Sequence, residues 1–134
     1  MKIMEHLKKV FSLDYRSLAL MRIGAGIIII LDLAERVRSL TAHYTDAGVL
    51  PRANFLELYN NPWLISVHNM SGTAVFELVL FIIAFLFAVS MLIGYRTTLA
   101  TAISWFLLVS LQNRNPLVLQ GGDGIFRCIM FFAM

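Results

Sequence analysis

Ala74–Ile93 reads AVFELVLFIIAFLFAVSMLI, twenty residues that carry a single charge, Glu77. At the rise of an α-helix this stretch is about 30 Å long, the depth of a bilayer's hydrocarbon core. It reads as a membrane span. The whole chain agrees: 59% of its 134 residues are hydrophobic, only 14% are charged, and the mean hydropathy of +0.77 lies outside the range of soluble globular domains.

Working upstream, residues 18–33 form another apolar segment, interrupted by Arg22. A central Arg costs roughly 2.5–3.5 kcal/mol on the insertion scale, less near a helix end where it can snorkel. The basic residues ahead of this segment do not make it a secretory signal. It runs directly into Asp32-Leu33-Ala34-Glu35-Arg36, with no small-x-small cleavage site.

Downstream, Ile93-Gly94-Tyr95-Arg96-Thr97 is a tight turn that makes the next span, 97–111, an antiparallel neighbour. Gly94 suits the helix stop and Thr97 the next N-cap. Asn113-Arg114-Asn115-Pro116 ends that helix, and Gln120-Gly121-Gly122-Asp123-Gly124 turns the chain back with Asp123 as N-cap. From near Ile125 the run IFRCIMFFAM starts a fourth span of about 15 Å. The expected fold is therefore all-α, a polytopic transmembrane helix bundle of three complete spans plus the start of a fourth. Residues 1–134 are expected to be the N-terminal part of a longer, truncated domain.

Two segments outside the spans have amphipathic character. Ile3, Met4, Leu7, Val10 and Phe11 fall on one helical face, opposite Lys2, Glu5, Lys8 and Lys9. In the long connection 36–73, Phe55, Leu56, Leu58 and Tyr59 suggest a short helix on the membrane surface, flanked by turns at Asp46-Ala47-Gly48, Leu50-Pro51 and Asn60-Asn61-Pro62. The basic residues are spread over short loops, so they report topology and not nucleic-acid binding. Lys2, Lys8, Lys9 and Arg16 ahead of the first span, with Arg96 in the hairpin, place the N-terminus in the cytoplasm of a multi-pass cell-membrane protein.

Alternating spans gather one set of charged and polar residues on the long-loop side: Asp32, Glu35, Arg36, Glu77, Asn113, Arg114, Asp123 and Arg127, with Arg22 and Arg96 opposite. Asp123 and Arg127 lie one helical turn apart and are suited to pair. Glu77 sits a few residues inside its helix, within reach of Arg127, Arg114 or Arg36. Ionisable groups at such depth face a bundle interior, a wet cavity or a partner. Glu77, Arg114, Asp123 and Arg127 are therefore the candidate ligand-binding or intramembrane polar cluster.

Familiar catalytic arrangements are absent from the sequence. His6, His43 and His68 have no metal-ligand spacing with one another or with Cys128, and no Ser, His and Asp are ordered into a triad. Cys128, the only cysteine, excludes an intrachain disulfide. In an apolar helix it reads as a packing residue.

The order of signals resembles a known family. Ser17-Leu18-Ala19-Leu20-Met21-Arg22-Ile23-Gly24, then Leu31-Asp32-Leu33-Ala34-Glu35-Arg36, then Tyr44-Thr45-Asp46-Ala47-Gly48-Val49-Leu50-Pro51 resembles the opening of the HTTM domain, the transmembrane domain shared with vitamin K-dependent gamma-carboxylases. Leu92-Ile93-Gly94-Tyr95-Arg96-Thr97 and Gln112-Asn113-Arg114-Asn115-Pro116 through Gly121-Gly122-Asp123 look like the next landmarks of its bacterial members. The resemblance implies a membrane helix bundle and a quinone, or another lipid-soluble molecule, as ligand. It does not carry over the carboxylase reaction: no lysine follows Lys9, and 113–123 contains no histidine to match the family's own. The partners it implies are the bilayer and either the missing C-terminal half or another membrane chain. A structural or assembly subunit is the rival expectation, and a carboxylase or epoxidase completed by another chain is a third.

Overall fold

The computed structural model describes residues 14–59, 61 and 63–134, and the described residues are helical with no strand. The amphipathic stretch 3–11 lies outside them. Asp14 opens the first helix by accepting from the backbone N–H of Arg16 at 3.4 Å. That helix, α1, spans Tyr15–Arg38, beginning earlier and ending later than the apolar segment alone predicts. The short helices α2 (Leu40–Tyr44) and α3 (Arg52–Leu58) follow, then a 3-10 turn at Val67–Asn69. The long helices α4 (Ala74–Ile93) and α5 (Thr97–Arg114) lead through a second 3-10 turn, Pro116–Val118, to α6 (Gly121–Phe132).

Among the described residues two helices, α1 and α4, are long and apolar enough to cross a membrane. The third expected span, α5, is a full helix of 18 residues but does not meet that criterion. The reason is its buried polar side: Thr101, Ser104, Ser110, Gln112, Asn113 and Arg114 all turn into the protein.

The turns follow sequence logic in part. Gly94 ends α4 with φ 81°, the left-handed conformation that a residue without Cβ adopts freely. Thr97 does not cap α5: Arg96 holds the N-cap position at φ 42°, and the Thr97 hydroxyl serves Arg22 instead. α6, expected as the start of a fourth span, begins at Gly121, so the glycine run expected as a turn forms the first helical turn itself. Its N-cap is Gln120. Asp123 stands at the third helical position and closes a capping box by accepting from the Gln120 N–H at 2.9 Å.

α4 packs against α1 on one side and α5 on the other, and α6 leans on α5. The core joins Ala25, Ile29 and Leu33 of α1 to Phe81, Ala88 and Met91 of α4 and to Leu108 and Leu111 of α5. Small residues set the closest approach: a Cβ on Gly26 would lie 3.2 Å from the Ala88 carbonyl oxygen and 3.0 Å from Leu92 Cδ2. The opposite faces of α1 and α4, with Leu20, Ile27, Leu31, Val75, Ile82 and Leu86, are exposed and apolar. Such a continuous surface is costly in water and favourable in lipid.

Candidate functional site

One end of the bundle collects most of the buried polar groups, because the long connection folds down between the ends of α1, α4 and α5. Ser66 donates to the Ser110 carbonyl at 2.6 Å, Asn113 to the Ile65 carbonyl at 3.0 Å, and Asn115 to the His43 carbonyl at 3.0 Å. The four candidate residues all lie at this end. Each of the four has its own partners, and among the described residues no hydrogen bond joins them into one cluster.

Glu77 is fully buried in the first turn of α4 and meets His68, also buried, with Nδ1 and Oε2 2.5 Å apart. A proton between the two makes this a charge-assisted hydrogen bond in an apolar setting. The histidine is the partner that sequence reasoning missed. His68 stands in a 3-10 turn nine positions before Glu77, a separation that follows no helical period and leaves no signal in the sequence. Glu77 Oε1 has no hydrogen-bond partner among the described residues. His68 also borders a small chamber of about 10 Å³ beside Ser104, Phe81 and Leu107, room for one water at most. Ser104 Oγ, likewise, has no hydrogen-bond partner among the described residues.

Arg114 is the largest fully buried side chain. The stretch Asp46 to Pro51 folds round it: Leu50 offers its carbonyl at 3.1 Å and Asp46 its carboxylate at 3.6 Å. Asp46 is itself held by the Arg52 N–H at 2.9 Å and packs against Gly72, where any Cβ would collide with the carboxylate. Glu77 acts on Arg114 through its field. Among the described residues Nε of Arg114 has no hydrogen-bond acceptor, and Nη2 has only the Asp46 carboxylate, beyond hydrogen-bond distance.

Arg127 does not pair with Asp123. It donates to Gln112 Oε1 and, at 3.1 Å, to Asn113 Oδ1, so α6 is pinned to the end of α5. Gln112 Nε2 has no hydrogen-bond partner among the described residues. Asp123 instead faces Arg36 at 3.5 Å, and Arg36 also binds Asp32 at 2.7 Å and donates to the Tyr44 hydroxyl at 2.6 Å. Burial pushes the Tyr44 phenol above its ordinary range, a shift that the neighbouring Arg36 partly opposes. A cavity of about 240 Å³ opens here between α1, α2 and the start of α6. The helix spacing that separates Asp123 from Arg127 by one turn was legible, but the neighbours that capture each of them were not.

At the opposite end, Arg22 donates to Thr97 Oγ1 at 3.2 Å and to the Ala133 carbonyl at 3.4 Å. Its place away from the long loop is as expected. The charge thereby caps the end of α6 and holds it beside α1. Among the described residues no group of three His, Cys, Asp or Glu side chains is placed to hold a metal ion. No family model matches the chain, and no curated protein or solved structure is similar enough to it to indicate kinship.

Proposed function

We propose that this chain is a multi-pass membrane helix bundle of HTTM type, with α5 as its third span and the N-terminus in the cytoplasm, and that it binds a lipid-soluble ligand of the quinone class. The ordered motifs from Ser17 to Asp123 support the family reading. The ligand reading rests on one observation: polar atoms of Glu77, Ser104, Gln112 and Arg114 are buried without hydrogen-bond partners among the described residues inside an apolar bundle. Each such atom costs about 1–3 kcal/mol, so a molecule that satisfies them binds with that advantage. The donors Nε of Arg114 and Nε2 of Gln112 suit an acceptor such as a quinone carbonyl, whose ring is at home among Leu107, Leu108 and Phe81. The chamber beside His68 must widen to admit a ring, so binding in this reading goes with a rearrangement of those side chains.

A structural role is the second reading, favoured by the fact that Glu77, Arg114, Asp123 and Arg127 each already hold a partner within the chain. Calorimetric titration of the full chain in quinone-free lipid nanodiscs, with a short-tailed benzoquinone or naphthoquinone, separates the two. The ligand reading expects saturable binding that Arg127→Ala and Glu77→Gln abolish at unchanged membrane yield. Loss of yield, with binding per folded molecule unchanged or absent throughout, assigns the charges to helix locking.

A further inference from the structure

The α1–α6 boundary is built differently from the other helix contacts. Two polar clasps hold it, Arg36 to Asp123 at one end and Arg22 to the Ala133 carbonyl at the other. Between them lies an apolar slot of about 360 Å³, bordered by Ile28 of α1 and by Ile125, Phe126 and Ile129 of α6. The slot shares Gln120 and Asp123 with the polar cavity of about 240 Å³ above it. Together they form one elongated site, polar at the end near the loops and apolar below.

The polar end has a definite charge. Asp32, Glu35 and Asp123 line it against the imidazole of His43 and one guanidinium, Arg36, whose bonds already go to Asp32, Tyr44 and Asp123. Glu35 is exposed to the cavity and has no partner among the described residues. The surplus of negative charge favours a cationic group. Two further features favour an acceptor close to that cation. Tyr44 is 1% exposed and lines the cavity, and its hydroxyl accepts from Arg36 while its own proton has no acceptor among the described residues. The N–H groups of Gly121 and Gly122, in the first turn of α6, have no intrahelical partner, and a Cβ on either glycine would meet nothing within 4 Å.

We propose that this site binds one zwitterionic phospholipid with a primary ammonium head. The ammonium lies among Glu35, Asp32 and Asp123, the phosphate faces Tyr44 and the start of α6, and an acyl chain fills the slot along Ile28, Ile125 and Ile129. This inference stands apart from the quinone reading, which concerns the groups buried around Arg114.

Native mass spectrometry of the full chain, released from detergent and titrated with phosphatidylethanolamine or phosphatidylglycerol of identical acyl chains, tests it. The wild type should keep one phosphatidylethanolamine, preferred by about tenfold, which corresponds to roughly 1.4 kcal/mol. Glu35→Gln, at an exposed position without a partner, should reduce that preference several-fold. Gly122 lines the slot and a Cβ there meets nothing within 4 Å, so Gly122→Leu should occupy the slot and abolish retention while thermal stability holds or rises through better helix propensity. Equal retention of both lipids, or retention unchanged in both variants, reduces the site to ordinary annular contact and overturns the proposal. A chain that keeps no lipid and runs as a dimer gives the slot to a protein helix and overturns it equally.

Discussion

A carboxylate that is fully buried has to be neutralised or paired, and His68 does this for Glu77. The pair also determines what each residue is worth to stability. Removing one partner strands the other in an apolar interior, which costs about 3–5 kcal/mol, whereas replacing both with apolar groups of similar volume is often neutral. His68→Leu is therefore expected to lower the unfolding free energy by about 3–5 kcal/mol, and adding Glu77→Leu should return most of that loss. Thermal or denaturant unfolding of the four proteins of this cycle, in one detergent, measures the coupling directly. An additive cycle would mean that the short contact contributes nothing and that Glu77 is satisfied by Arg114 alone.

Among the elements, α4 was the most legible, its bounds matching the apolar run from Ala74 to Ile93. The tight turn at Gly94 and the end of α5 before Pro116 were equally plain, since each depends on local backbone chemistry. The start of α6 was not, because a glycine-rich run reads as a turn until Gln120 and Asp123 are seen to close a capping box round it. The side on which two helices meet was also hidden: Gly24 and Gly26 are alike in sequence, but only Gly26 faces α4. This difference can be measured. Gly26→Leu drives a side chain into Leu92 and the Ala88 backbone and should cost about 1–3 kcal/mol, as overpacking does. At Gly24 a Cβ meets nothing within 4 Å, so Gly24→Leu should be neutral or slightly stabilising through helix propensity. The melting temperatures of the purified variants decide it, and equal losses at both positions would refute the α1–α4 crossing.

For the molecule as a whole, the sorting of charges to one end came from counting helices, and the hydrogen bonds of the long connection account for it physically. Ser66, Ile65 and His43 bind the far end of α5, so the connection and the residues after α5 share a side whichever way the bundle is inserted. What the sequence could not give is the partner of each charge, since His68, Leu50 and Gln112 reach their ionised neighbours through turns and helix ends with no periodic signature. The shared side makes a topological prediction that also tests α5 as a third span. In a Cys128→Ser background, single cysteines at Val49, Tyr95 and Leu117 replace side chains that are all well exposed. With the N-terminus in the cytoplasm, a membrane-impermeant maleimide applied to intact cells should label the cysteines at Val49 and Leu117, and should label the one at Tyr95 only after permeabilisation. The basic residues before α1 and Arg96 in the hairpin favour that orientation. Labelling of the Tyr95 position alone would invert the bundle and leave its internal order intact. If the Leu117 and Tyr95 positions react together, against Val49, α5 does not cross the membrane, and its buried Gln112, Asn113 and Arg114 then belong to a helix lying at the surface.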